Sequence, residues 1–212
     1  MAGKVTGLIV QRRNPNRVNV YLDGEFAFGL QRITAAWLSV GQEMSAEIIV
    51  QLKNKDESEV VYQSALRLLS YRQRTAAEIT RRLQQKGYDP EKVQQVVARL
   101  HETHLLDDRK FAVDWVDDRK AFHPRSKRLM AHEMLNKGLD RQVVEQALLS
   151  VGDDTPLAED AARKVMDRWN SLAEKEFVTR CAAYLGRKGF SAGVCYSIAR
   201  KMWNELHLEV EP

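Results

Sequence analysis

The sequence predicts a mostly α-helical protein of tandem three-helix repeats in an elongated curved array, preceded by a small N-terminal β-rich module. Three observations carry this prediction. Alternating apolar residues flank an Asp-Gly pair near the N-terminus, the apolar spacing turns helical from about residue 60, and a Lys-Gly pair recurs every 51 residues after that. The first pattern is typical of a β-hairpin, and the other two are typical of stacked helical units.

The hairpin is predicted over residues 17–28. Apolar residues alternate over 17–22, and Asp23-Gly24 then supplies the two residues that a tight primed turn needs at positive φ. An earlier strand is expected over residues 5–10, because Asn14-Pro15-Asn16 separates it from the hairpin.

A short helix at residues 33–38 and a last strand near residues 47–51 are expected to complete the N-terminal module. This module, residues 1–56, offers no catalytic constellation. The predicted repeats then occupy residues 57–107, 108–152 and 153–212.

Lys86-Gly87, Lys137-Gly138 and Lys188-Gly189 organise the helical part of the chain. Glycine in the left-handed conformation closes a helix, and the preceding lysine suits the negative end of the helix dipole. Apolar residues recur four positions before each glycine, directly after it and nine positions after it: Leu83, Tyr88, Val96; Met134, Leu139, Ala147; Leu185, Phe190, Ile198. We therefore expect three helices per repeat, and repeats that pack end to end because each one alone buries little.

Capping residues mark several helix starts. Thr75-x-x-Glu78 matches a capping box for the middle helix of the first repeat, and Ser126 holds the place of Thr75 in the second. Asp89-Pro90-Glu91 starts the third helix of the first repeat. Phe177 replaces the capping residue in the third repeat, so the helix there must start differently.

Composition and charge narrow the function classes. With 44% hydrophobic and 29% charged residues, no apolar run near a membrane span and no secretory signal, the chain is expected to be a cytoplasmic protein. Cys181 and Cys195 occupy apolar helix positions and fit reduced core residues. Residues 60–150 hold 17 basic and 12 acidic side chains, which indicates an anionic partner or a solvated basic face.

The densest basic segment is residues 119–128. Pro124 is expected to break the helix, so that the charges flank a loop. Basic side chains there suit phosphates or acidic protein, and Phe122 suits stacking on an exposed base. The alternative is a solvated loop with Phe122 in the core. The candidates in this segment are Arg119, Lys120, Phe122, Arg125, Lys127 and Arg128.

A second basic cluster surrounds the equivalent loop of the first repeat. It consists of Arg72, Arg74, Arg81 and Arg82. Helix surfaces routinely carry such charges, so a solvated face is the alternative here as well.

Catalytic patterns are weak. Asp107-Asp108 and Asp117-Asp118 raise the alternative of a metal-dependent nuclease, but Asp107-Asp108 stands where a helix cap is expected. His101 and His104 have no further Cys or His nearby to complete a metal site. The sequence contains neither phosphate-binding glycine motif, GxGxxG or GxxxxGK[ST]. We expect a protein that is not an enzyme and uses no metal and no cofactor.

Four segments together resemble one family. Residues 65–75 are Ala-Leu-Arg-Leu-Leu-Ser-Tyr-Arg-Gln-Arg-Thr, and residues 105–112 are Leu-Leu-Asp-Asp-Arg-Lys-Phe-Ala. With Lys137-Gly138 and residues 187–190, these segments resemble the RecX family. Residues 21–28 are similar to the leading extension of its longer members. His104 departs from the pattern, which often has glycine or a small polar residue there, so the turn at this point is expected to differ.

The resemblance implies a regulator of the RecA recombinase. It implies a helical three-repeat protein that inhibits RecA ATPase and strand exchange, and that limits filament extension or promotes disassembly. The implied partners are RecA and the RecA–single-stranded DNA filament, with direct DNA contact, no membrane, and a monomer that lies along the filament groove. A helical nucleic-acid-binding protein that acts without RecA is the alternative.

Overall fold

The computed structural model describes residues 2–208. The N-terminal part contains β1 (Gly3–Val10), β2 (Arg17–Leu22), β3 (Glu25–Gln31), α1 (Arg32–Ala35), β4 (Glu43–Met44) and α2 (Ala46–Tyr71). The helices that follow are α3 (Ala76–Gln85), α4 (Pro90–Glu102), α5 (Asp108–Ala121), α6 (Lys127–Asn136), α7 (Arg141–Ala147), α8 (Asp154–Arg163), α9 (Glu174–Arg187) and α10 (Ala192–Leu208). The predicted fold class, mostly helical with tandem three-helix units after a small N-terminal sheet, is confirmed.

The sheet is antiparallel with strand order β3-β2-β1-β4. The predicted hairpin is confirmed: Asp23 and Gly24 have φ values of 50° and 92°, as a primed two-residue turn requires. Alternation places Val18, Val20 and Leu22 on the buried face of β2, where they join the core of the sheet.

The strand predicted near residues 47–51 is wrong. Those residues form the first turns of α2, and the last strand is the two-residue β4 just before it. Ser45 caps the helix, since its hydroxyl accepts a hydrogen bond from the Ile48 N–H at 3.3 Å. The apolar run Ile48-Ile49-Val50 resembles a strand, but only Ile49 is buried, as expected for one face of a helix.

The helical region therefore begins at Ala46, earlier than the expected switch near residue 60. The single continuous helix α2 packs against both the sheet and the helices that follow it. Near its middle, the buried Asp56 accepts a hydrogen bond from the Gln31 N–H and lies 3.7 Å from the Arg17 guanidinium. This carboxylate holds α2 against the sheet, while Val61, Tyr62 and Ala65 are buried further along the helix.

One further helix is shorter than predicted: the helix expected at residues 33–38 is the four-residue α1, Arg32–Ala35. In the third repeat, α8 ends at Arg163, and a separate 3-10 turn spans Met166–Trp169. This turn contributes to the apolar packing, because the Trp169 ring packs edge-on against Phe177 and Tyr184.

The chain divides into two compact units. The first contains the described residues up to Gln73 together with 79–105, and the second contains residues 74–78 and those from 106 onward. In the second unit, the helices of the second and third repeats share a single hydrophobic core. Its fully buried large side chains are Met130, Met134, Phe177, Leu185 and Met202.

The cysteines belong to the core of the second unit, as predicted. Cys181 and Cys195 are both buried, and neither forms a disulfide bond. Burial raises the pKa of the Cys181 thiol to about 11, and the neighbouring Cys195 adds to this effect. Such a thiol stays protonated and unreactive at neutral pH.

The three Lys-Gly pairs close helices as predicted. Gly87, Gly138 and Gly189 have φ values of 83°, 80° and 88°. At each, the glycine N–H donates to the carbonyl three residues back, and the next N–H donates to the carbonyl five residues back. These paired bonds form the Schellman arrangement, which satisfies carbonyl groups at the helix end.

Candidate functional site

The α5–α6 loop, residues 122–126, holds the densest predicted basic cluster. Ser126 caps α6 by accepting the Leu129 N–H at 3.1 Å, and Pro124 is buried in the loop. The Lys164 ammonium donates to the carbonyls of Ala121 and Phe122 at 3.2 Å and 3.0 Å. The loop is therefore anchored at both ends, and it presents its side chains from a fixed backbone.

Two of the candidate arginines form ion pairs within the protein. Glu133 of α6 accepts a hydrogen bond from Arg119 Nε at 3.1 Å and pairs with the Arg125 guanidinium. The same carboxylate accepts the Trp115 indole N–H at 3.2 Å. Burial lowers the pKa of Arg125, and the nearby positive charge of Arg119 lowers it further. Arg119 and Arg125 thus hold α5, the loop and α6 together.

Lys127 is also engaged. Its ammonium donates to the Val151 carbonyl at 3.2 Å, and its backbone N–H donates to Asp154 Oδ1 at 2.8 Å. The side chain remains exposed, so part of its charge still faces solvent.

Lys120, Phe122 and Arg128 form what we call the loop patch. The Phe122 side chain is 68% exposed, which excludes the alternative that placed it in the core. Arg128 is exposed and Lys120 half-buried, and neither has an ion-pair or hydrogen-bond partner for its side chain within residues 2–208. An exposed aromatic ring with two uncommitted cations in the adjoining sequence is suited to a phosphate-bearing or acidic partner.

The second basic cluster, like the first, contains both arginines that bond within the protein and arginines that are exposed. Arg74 lies 3.4 Å from Glu78 and is mostly buried, and the Arg72 guanidinium donates to the Gln73 carbonyl at 2.9 Å. Arg81 and Arg82 are exposed on α3. Arg74 belongs to the second compact unit, whereas the other three belong to the first.

Three of the four paired aspartates have structural partners. Asp107 caps α5 by accepting the Lys110 N–H at 2.9 Å, as predicted. Asp108 accepts the Ala76 N–H at 2.9 Å, and Asp118 pairs with Arg119. Within the described part of the chain, no group of three or more His, Cys, Asp or Glu side chains is placed to hold a metal ion.

Sequence reasoning missed Glu133 and Lys164, which organise the loop. The only sequence signal for Glu133 is indirect: Trp115 and Arg119 lie four residues apart and so share one face of α5, which needs an acceptor nearby. Nothing in the sequence pairs Lys164 with a loop more than 40 residues away.

Three family models match the chain in order. Residues 3–45 match the regulatory protein RecX N-terminal domain, residues 62–100 match the first RecX three-helix domain, and residues 107–148 match the second. The first match covers the sheet and α1, and the others cover parts of the first two repeats.

Curated relatives agree with these matches. The chain is 29% identical over 194 residues to the regulatory protein RecX of Bacillus subtilis, covering 90% of this chain and 74% of the relative. It is 29% identical over 215 residues to the regulatory protein RecX of Clostridium perfringens strain 13, covering 98% and 100%.

Two solved structures have a similar fold. A crystal structure of regulatory protein RecX superposes with a TM-score of 0.72 at 24% identity, covering 92% of this chain and 98% of the other. A structure of RecX from Lactobacillus salivarius gives a TM-score of 0.58 at 23% identity, covering 73% and 99%. Within residues 2–208, no helix combines the length and the apolar character that crossing a bilayer requires.

Proposed function

The chain belongs to the RecX family of regulatory proteins, and we propose that it binds RecA and the RecA–single-stranded DNA filament and inhibits RecA ATPase, recombinase and strand-exchange activity. The observation that carries the proposal is the ordered match of three RecX domains. The protein acts in the cytoplasm as a monomer, without catalysis of its own.

The loop patch is the contact surface that we assign to the filament. Lys120 and Arg128 carry charges that the fold leaves uncommitted, and Phe122 exposes an aromatic ring between them in sequence. A filament coated on DNA offers both phosphates and acidic protein surface, so cations of this kind give a salt-dependent attraction. Arg81 and Arg82 are the next candidates.

The test is RecA ATPase activity on single-stranded DNA with the protein titrated in. The parent protein is expected to lower the rate. The variant Lys120→Ala/Phe122→Ala/Arg128→Ala is expected to need about tenfold more protein for the same inhibition, with a salt dependence shallower by about 0.7 per lost phosphate contact. Its free energy of unfolding is expected to change by no more than about 0.5 kcal/mol per exposed position.

Arg125 and Lys127 are unsuitable for this test because they hold Glu133 and Val151. Arg141→Ala/Arg168→Ala is the matched control, since both arginines are exposed and lie away from the loop in sequence. If the triple variant and the control inhibit RecA equally, the loop patch is not the contact surface. If the parent protein itself leaves ATPase unchanged, the proposed function is wrong.

The alternative function is binding to nucleic acid without RecA, favoured by the exposed Phe122 ring. Co-sedimentation with pre-formed RecA filaments and with bare single-stranded DNA separates the two. Binding that RecA raises well above the level on bare DNA supports RecA regulation, whereas equal binding to both supports the alternative.

A further inference from the structure

The first compact unit contains a polar cleft of about 450 Å³ that the proposed function does not use. Three segments of the first compact unit form its walls: the β1–β2 turn, α1 with the residues on either side of it, and the C-terminal half of α2. Amide side chains and two guanidinium groups line it, from Asn14, Asn16, Gln31, Gln63, Arg32 and Arg67.

Hydrogen bonds fix these walls in place. The Arg32 N–H donates to the Asn16 carbonyl at 2.7 Å, and the Arg17 N–H donates to the Asn14 carbonyl at 3.0 Å. On the adjoining side, the Gln31 N–H donates to Asp56 of α2. The cleft is thus formed before any ligand enters, which lowers the entropy cost of binding.

The cleft is positive because its arginines are not neutralised. Arg17, just outside it, shows the contrast: its guanidinium donates to the Gly29 carbonyl at 2.9 Å and lies near Asp56. Arg32 and Arg67 are exposed, and neither has a carboxylate partner among the residues that the structure describes. The lining includes no acidic residue, so the field within the cleft favours an anion.

An aromatic side chain adjoins the cleft in sequence. Trp37 follows Ala36, which lines the cleft, and its indole is 79% exposed. Arg12 and Arg13, in the turn that leads to Asn14, are exposed as well. The composition of the sequence does not indicate a positive cleft here, because residues 1–59 hold seven basic and seven acidic side chains and have no net charge.

We propose that this cleft binds single-stranded nucleic acid, with Arg32 and Arg67 on the phosphate backbone and Trp37 stacked on an unpaired base. Guanidinium and amide donors suit phosphate and sugar oxygens, and an exposed indole suits a base whose face is free. A duplex hides those faces, so the site selects a single strand. The site lies in a different part of the chain from the loop patch and does not require RecA.

The experiment measures binding of a fluorescent oligothymidylate to the full chain by anisotropy, without RecA. Arg32→Ala/Arg67→Ala is expected to bind about tenfold more weakly, and the slope of log affinity against log salt to become shallower by about 0.7 per lost contact. Trp37→Ala is expected to bind about tenfold more weakly at constant salt slope. The control Arg141→Ala/Arg168→Ala removes the same charge from exposed arginines of the second unit, and its affinity is expected to stay within about twofold of the parent's.

Two results of the binding experiment would overturn the proposal: cleft variants that lose no more affinity than the control, or a duplex that competes as well as a single strand. Thermal melts of each variant check folding. Photo-crosslinking of iodouridine-containing DNA to the parent protein gives a readout that needs no variant. A crosslink in the peptide that holds Trp37 supports the site, and crosslinks confined to residues 119–128 contradict it. Failure of RecA inhibition leaves these results unaffected.

Discussion

The three Lys-Gly helix ends have the same sequence and the same local hydrogen bonds, but their surroundings differ. A Cβ at Gly87 would meet nothing within 4 Å, whereas at Gly138 it would lie 2.4 Å from the Ala77 Cβ. At Gly189 it would lie 2.5 Å from the Ser126 Oγ and 2.7 Å from the Leu129 Cβ. Gly87 is thus needed for its backbone conformation alone, whereas the other two are also needed for space.

The crowded glycines lie at junctions where a middle helix starts against the Lys-Gly end of the next one. At the first junction the Thr75 hydroxyl donates to the Lys137 carbonyl at 2.7 Å, and at the second the Ser126 N–H donates to the Lys188 carbonyl at 3.0 Å. An aspartate completes each junction: Asp108 accepts the Ala76 N–H, and Asp154 accepts the Lys127 N–H.

These junctions explain why the third repeat lacks the capping residue. Within residues 2–208, α9 has no later Lys-Gly end to meet, and it starts at Glu174 after Ala173, without a side-chain cap. Phe177, at the place of Thr75, is fully buried in the core instead. The expectation of a different helix start is confirmed.

The largest effect is expected from alanine at the crowded glycines. Gly138→Ala and Gly189→Ala combine a left-handed alanine, which costs about 1–2 kcal/mol, with overpacking of about 1–3 kcal/mol. Gly87→Ala carries the first cost alone. Urea unfolding followed by circular dichroism measures the difference. Equal losses of stability at all three positions would mean that the neighbouring side chains move aside at no cost. The crowding at Gly138 and Gly189 would then make no difference to stability.

A smaller effect is expected from the capping residues of the junctions. Thr75→Ala removes two hydrogen bonds, to the Glu78 N–H and the Lys137 carbonyl, and is expected to cost about 2 kcal/mol. Ser126→Ala removes only the bond to the Leu129 N–H, because its junction bond comes from the backbone, and is expected to cost about 1 kcal/mol.

Asp89→Ala is the control for this pair, since Asp89 caps α4 away from both junctions. Its cost is expected to match that of Ser126→Ala. Thr75→Ser is expected to restore stability to within about 0.5 kcal/mol of the parent, because the hydroxyl is retained. If Thr75→Ala is no less stable than Asp89→Ala, the Thr75 hydroxyl does not stabilise the junction by bonding to the Lys137 carbonyl.

The smallest effect is expected at a helix end that lacks the Lys-Gly pair. His104 follows α4 with φ of 55°, and the Leu105 N–H donates to the Leu100 carbonyl at 3.0 Å, so the same closure forms without glycine. This is the departure from the family pattern that the sequence predicted to alter the turn. His104→Gly relieves the left-handed strain but gains entropy when unfolded, so a net stabilisation of less than about 1 kcal/mol is expected in thermal melts. A clear loss would mean that the exposed imidazole makes a stabilising contact.

Short sequence patterns predicted the structure correctly where the structural feature is itself local. The Asp-Gly turn, the Lys-Gly helix ends and the caps at Asp107 and Ser126 each depend on a few consecutive residues, and the structure contains all of them. The strand expected at residues 47–51 failed because Ile48-Ile49-Val50 fits either period over so short a run.

For the candidate site, the sequence identified which side chains are charged but not which charges are free. Arg119, Arg125 and Arg128 look alike in the sequence, yet Glu133 pairs with the first two and leaves the third exposed. Likewise Arg17 is paired by Asp56, whereas Arg32 is not. Because an ion pair depends on residues that are distant in the chain, composition and spacing could not separate these cases.

The fold class, the repeat period and the places where helices end follow from local sequence, since glycine conformation, capping and periodicity act over a few residues. The crowding at individual glycines, the pairing of individual arginines and the exposure of Phe122 follow from tertiary packing. Those properties depend on which distant segments meet, and equal sequence motifs acquire different energies from different neighbours.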